Sequence, residues 1–118
     1  MKIIIASTGR DMHSEVSPIF GRSRDFIIIE IDDGEIKEKN FIENPVKNEK
    51  SAGNLAAEYL ADNNVDALIT GKLGRVALHV LKTAGIKVYK ARPGTVEVNL
   101  KSFQEDKLQE ITNLQGGF

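Results

Sequence analysis

The chain has 118 residues, 41% of them apolar, and a formal net charge of −1. That length suits one domain with a single core, and the near-neutral balance argues against generic nucleic-acid binding, which needs a basic excess. With no cysteine and only two histidines, His13 and His79, the chain has no disulfide, thiolate nucleophile or thiolate-ligated metal, and too few donors for a structural zinc site.

Lys2 to Ala6 is a short β-branched run closed by Ser7-Thr8-Gly9, the pattern of a strand buried on both faces. Its apolar stretch is too short for a signal peptide or a membrane span, so a cytoplasmic protein without a membrane partner is expected. Asp25 to Asp32 is a second strand, ending in the turn Asp32-Asp33-Gly34-Glu35. Ile36 to Glu43 then alternates, with Ile36, Glu38, Asn40 and Ile42 on one face and Lys37, Lys39, Phe41 and Glu43 on the other. This predicts a hairpin partner at a sheet edge. Asn44-Pro45 stops the sheet, and Leu55, Ala56, Tyr59 and Leu60 recur at helical spacing, predicting a helix near 51–63.

Val65 to Thr70 reads as a buried strand and Gly71 to Gly74 as a loop. Leu73, Ala77, Val80, Leu81 and Ala84 form the stripe of a second helix, with Gly85 placed as its C-terminal cap. Ile86 to Tyr89 is the last strand expected. Pro93-Gly94 turns the chain, and Thr95 caps a third helix carrying Val96, Leu100 and Phe103. The C-terminal residues show no periodicity, so one domain is placed at 1–108 and a flexible tail at 109–118.

The order β-β-β-α-β-α-β-α implies a mixed sheet with helices packed on it. With strand 1 parallel to the last two strands and antiparallel to strand 2, Ser7–Arg10, Ser17–Arg24, Gly71–Arg75 and Ala91–Thr95 share one rim. Ligands of open α/β sheets favour the carboxyl edge, where helix N-termini present N–H groups to anions. The five arginines, Arg10, Arg22, Arg24, Arg75 and Arg92, all lie in or beside predicted loops. Guanidinium groups converging on this rim predict a place for an anion or an anionic cofactor.

The candidate binding residues are therefore Arg10, His13, Ser17, Phe20, Gly21, Arg22, Gly71, Lys72, Gly74, Arg75 and Arg92. Several also have a purely structural reading. Pro18 fixes the chain, Phe20 plugs the core and Gly21 supplies a positive φ. Gly71-Lys72-Leu73-Gly74-Arg75 joins a strand to a helix, the context of an anion cradle, without the G-K-[ST] ending of a Walker loop. His13 is the histidine near the rim, a surface residue by default and the one neutral donor available to a metal. His79 shares its helix face with Arg75, Lys82 and Thr83 and reads as exposed.

Ser17-Pro18-Ile19-Phe20-Gly21-Arg22 resembles the S-P-x-F-G-R loop of the dinitrogenase iron–molybdenum cofactor biosynthesis family, the small NifX-type domain also found at the C-terminus of NifB-type proteins. Glu43-Asn44-Pro45 resembles the E-N-P turn of that family, Ala52-Gly53-Asn54-Leu55-Ala56 the start of its first helix, and Gly71-Lys72-Leu73-Gly74 its glycine-rich loop. Gly85-Ile86-Lys87-Val88-Tyr89 is similar to its last strand, so the resemblance runs from Met1 to about Leu108. It implies a ribonuclease-H-like motif fold, three α/β/α layers around a five-stranded mixed sheet in the order 3-2-1-4-5. It also implies binding or carriage of an iron–sulfur or iron–molybdenum type cluster or its precursor, with cofactor-assembly proteins as partners. Two positions depart from the pattern: Ile19 stands where cofactor-binding members often carry histidine, and Lys72 where a second glycine is common. An isoleucine cannot ligate iron.

Such a fold invites a test for nuclease chemistry, which needs clustered acids to hold two divalent ions. Lys2 to Ala6 contains none, and Ser7 and Thr8 have no histidine–acid arrangement nearby in sequence for a hydrolase triad. A non-enzymatic carrier of an anionic cofactor is the expectation. The alternatives are a phosphate- or nucleotide-binding regulatory module at the same rim, and an interaction domain pairing through Ile36–Glu43, against which the alternating charges of Lys37, Glu38 and Lys39 argue.

Overall fold

A computed structural model describes residues 1–114. The strands are β1 (Lys2–Ser7), β2 (Asp25–Asp32), β3 (Glu35–Glu43), β4 (Ala67–Thr70), β5 (Lys87–Lys90) and β6 (Gln109–Glu110). The helices are α1 (Ala52–Ala61), α2 (Arg75–Thr83) and α3 (Val96–Gln104), and a 3-10 turn spans Phe20–Arg22. The sheet order is β3-β2-β1-β4-β5-β6. β1 is antiparallel to β2 and parallel to β4, as the element order required.

The sheet has six strands rather than the expected five. β6 pairs antiparallel with β5 through Tyr89–Glu110 and Lys90–Gln109, inside the segment read as a tail. Two exposed residues carry no alternation to read from sequence. Just beyond them Ile111 is buried, and its N–H donates to Val88 O at 2.7 Å. The remainder of the expected tail, 115–118, lies outside the described residues.

β1 is buried on both faces because helices cover both. Ile4 and Ala6 point to the α1/α2 side, where they meet Ala56, Leu60 and Leu81. Ile3 and Ile5 point to the α3 side with Val96 and Leu100. Each fully buried isoleucine contributes about 1.5–3 kcal/mol of transfer free energy, which fixes the register of this central strand.

The hairpin between β2 and β3 turns at Asp33 (φ 51°) and Gly34 (φ 78°), two left-handed residues of the kind a two-residue turn requires. The strict alternation expected for β3 fails near that turn. A bulge between Glu30 and Ile31 places Ile36 opposite Ile31, whereas Lys39 and Phe41 lie opposite Ile29 and Ile27. The extra residue shifts the pleat, so Ile36 joins Lys39 and Phe41 on the α3 side. Gly85 (φ 81°) ends α2 as expected, with its N–H on Lys82 O at 2.9 Å. No helix among the described residues is long and apolar enough to cross a membrane.

Candidate anion-binding groove

The segment after β1 is drawn back against the sheet by its own amides. Ser17 N–H donates to Ala6 O at 2.8 Å, Lys72 N–H to Pro18 O at 2.8 Å, and Phe20 N–H to Lys72 O at 2.8 Å. Residues 17–20 thus lie alongside the continuation of β4. The approach is so close that a Cβ on Gly71 would sit 2.5 Å from the carbonyl oxygens of Ser17 and Pro18. Phe20 then turns fully into the core, its ring 5.9 Å from that of Phe26. Ser17 is buried, its hydroxyl donating to Ile19 O at 2.9 Å.

Gly21 has a different reason to be glycine from the one expected. It does not lie at positive φ. A Cβ there would come within 2.3 Å of Gly53 N and 2.5 Å of Gly53 Cα, so the 3-10 turn rests directly on the first turn of α1. Asn44, almost fully buried, ties this turn to the end of β3. Its amide donates to Gly21 O (3.1 Å) and Ser23 O (3.0 Å), and its carbonyl accepts from Val46 N–H (3.1 Å). Arg22 completes the brace, donating to Lys47 O (2.7 Å) and Glu49 O (3.1 Å).

Between the turn, the start of α1 and the 71–74 loop lies a groove of about 330 Å³, with Arg22, Lys50, Ser51, Gly53, Lys72 and Gly74 among its lining residues. Both α1 and α2 begin here. Neither N-terminus has a side-chain cap or an acidic residue in its first turn. Their first-turn amides have no acceptor among the described residues. α3 is built the opposite way. Val96 N–H donates to Ser14 O (2.8 Å), Glu97 N–H to Met12 O (2.9 Å) and Val98 N–H to the Thr95 hydroxyl (3.2 Å), with Glu97 in the first turn. Two helix ends are thus left open to an anion while the third is closed by the chain itself.

The structure divides the expected rim. Gly21, Arg22, Lys72 and Gly74 line the groove. Arg10 turns away, its Nε donating to the fully buried Asp25 carboxylate at 3.0 Å and its Nη2 lying 4.0 Å from Glu43. Arg24 approaches the other Asp25 oxygen at 3.6 Å. The Glu43 carboxyl is held below its ordinary value, first by the hydrogen bond and charge of Lys47, then by Arg10 and Arg24. His13, 80% exposed, sits with Nδ1 3.5 Å from Glu97 at the head of α3. Arg92 donates to Lys107 O at 2.6 Å, and Arg75 lies with His79 and Lys82 along α2. The loop guanidiniums find nearer carboxylates and carbonyls, so most of them do not converge.

Lys50, Ser51 and Asn54 also line the groove and were missed. The signal was available: β3 runs parallel to β1, because each is antiparallel to β2, so the exit from β3 must reach the same rim. Among the described residues no group of three or more histidines, cysteines, aspartates or glutamates could hold a metal ion.

Residues 1–106 match the model of the dinitrogenase iron-molybdenum cofactor family. An uncharacterized protein of Methanocaldococcus jannaschii is 39% identical over 100 residues, 84% of this chain and 85% of its own length. Among solved structures, a Thermotoga protein named a putative NifB protein is 33% identical, with a TM-score of 0.80 over 98% of this chain and 97% of its own. The apo form of the orange protein of Desulfovibrio gigas is 25% identical, with a TM-score of 0.85 over 98% and 96% of the two chains. Matched over nearly all its length in sequence and in fold, the chain belongs to the dinitrogenase iron-molybdenum cofactor family.

Proposed function

We propose that the groove receives an anionic cargo, an iron–sulfur-type cluster or a precursor of one, and that the protein carries it to cofactor-assembly proteins without transforming it. The observation that carries this reading is the pair of uncapped helix N-termini facing one groove, flanked by Arg22, Lys50 and Lys72. The side chains of Lys50 and Lys72 have no partner among the described residues. Amides and ammonium groups recognise the outer charge of a cluster and form no bond to its metal, which suits loading and release. Arg10 and His13 lie outside this groove and take no part in the reading.

Anaerobic loading with iron and sulfide, followed by absorption and metal analysis, tests it. Wild type is expected to take up iron stoichiometrically, Lys72→Glu to lose most of it, and His13→Ala to keep it. Absence of uptake by wild type, or equal uptake by Lys72→Glu, would overturn the reading.

One observation favours a second reading. Ile19 is 51% exposed on the groove wall, so an apolar group stands where an imidazole would approach metal. The same amides and lysines serve a phosphate or a nucleotide. A thermal-shift screen with inorganic phosphate and nucleotides separates the two. A rise in melting temperature with these and no uptake of iron selects the metal-free ligand.

A further inference from the structure

The two faces of the sheet are covered unequally. α1 and α2 cover one face, whereas α3 alone covers the other among the described residues. The nine-residue α3 spans about 13 Å and packs on β1, β2 and β4 through Val96 and Leu100. β3 is left beyond its reach: every residue of β3 except Ile42 is exposed, and Ile36 and Phe41 are 40% and 37% exposed. The bulge in β3 gathers Ile36, Lys39 and Phe41 on this face. A cleft of about 710 Å³ remains between β3 and α3.

Both ends of the cleft are tied. At the upper end the 12–14 segment is bonded to the head of α3, and His13 meets Glu97. At the lower end Gln104 Nε2 donates to Gly34 O at 3.2 Å, joining the foot of α3 to the hairpin turn. Apolar surface comes from Met12, Ile36, Phe41 and Leu100. Lys39 on the β3 wall and Lys101 on the α3 wall have no side-chain partner among the described residues. Arg10, by contrast, is already spent on Asp25 and Glu43.

We propose that this cleft is a second small-molecule site, specific for an organic anion with an apolar body: the body lies against Ile36, Phe41 and Leu100, and its carboxylate, sulfonate or phosphate meets Lys39 and Lys101. The volume is that of a site for one drug-sized ligand. The charge arrangement favours an anion, because three cationic side chains, Arg10, Lys39 and Lys101, line the cleft against two carboxylates, Asp11 and Glu97, and Lys39 and Lys101 are the cations with no carboxylate of their own among the described residues. The site lies on the opposite face of the sheet from the proposed cargo groove and does not depend on it.

The test uses fluorescence titration with 1-anilinonaphthalene-8-sulfonate and with its neutral relative N-phenyl-1-naphthylamine. Amide shift mapping follows on wild type and on the Lys39→Gln/Lys101→Gln double variant. Both lysines are exposed and unpaired, so the variant is expected to fold. The expected result is saturable binding of one sulfonate per chain, with the neutral probe weaker on the order of tenfold and the double variant losing that preference. Shifts should centre on Met12, Ile36, Phe41 and Leu100 and leave Gly21 and Gly53 unmoved. Equal affinity for the two probes, an unchanged preference in the double variant, shifts centred on the cargo groove, or binding that requires self-association by light scattering would each overturn the proposal.

Discussion

The cargo groove and the α3-side cleft are built from different materials. Backbone forms much of the groove: two helix ends, and Gly21 in contact with the main chain of Gly53. Side chains form the cleft, with apolar walls from β3 and α3 and lysines at their edges. A backbone site fixes its donors rigidly and accepts any ligand of the right charge. A side-chain site can be retuned residue by residue. The groove should therefore be intolerant of an added methyl where its glycine touches main chain, at Gly21, whereas the cleft should answer to changes of its wall side chains.

The largest expected effect is Gly21→Ala. A Cβ 2.3 Å from Gly53 N cannot be accommodated unless the 3-10 turn lifts off α1, and overpacking against main chain costs about 3 kcal/mol or more. Gly74→Ala, on the other wall of the same groove, meets nothing within 4 Å and should be close to neutral. Urea unfolding of the two variants measures the contrast, and similar midpoints would break the claim that contact with α1 dictates the glycine.

Two buried asparagines hold the two sides of the rim. Asn44 bonds Gly21, Ser23 and Val46, whereas Asn99 accepts from Arg92 N–H (2.8 Å) and donates to Arg92 O and Thr95 O (3.0 Å each). Replacing either with alanine strands buried backbone groups and should cost about 2–3 kcal/mol. Function separates them: Asn44→Ala should also lose anion uptake in the groove, while Asn99→Ala should keep it. Equal uptake in both would mean that the 3-10 turn does not shape the groove.

Gly53→Ala has a smaller and opposite effect. The position is helical and its Cβ direction is open, so alanine should raise stability by about 0.5–1 kcal/mol. The same methyl enters the groove, so anion uptake should fall as the midpoint rises. A stabilised variant with unchanged uptake would remove Gly53 from the site.

Sequence reading succeeded where the signal was local. The Asp33-Gly34 turn, the Thr95 cap and the Gly85 stop each depend on neighbours within a few residues. It failed where the partner lay far along the chain. Gly21 answers to Gly53, Arg92 to Lys107 and Arg10 to Asp25, and no periodicity marks such pairs. β6 is too short to carry a pattern. The groove itself was half legible, because the glycine-rich loop announced one helix end while the parallel run of β3, which brings the other, went unused.

The smallest effects appear at the extremes of pH, one from each side of the molecule. Glu43 is held below its ordinary 4.5 chiefly by Lys47, so its contribution is present above that value and lost as pH falls through the lowered one. Tyr89, against Phe103 on the α3 face, is raised above 10.0, first by burial and then by the charges of Glu110 and Asp106. A raised phenol works in the other direction: its contribution is intact below 10.0 and disappears as pH climbs through the raised value. Glu43→Gln should flatten the acid limb of a stability–pH profile, and Tyr89→Phe the alkaline limb. If Glu43→Gln left the acid limb unchanged, the Lys47 pairing would not be what holds that carboxyl down.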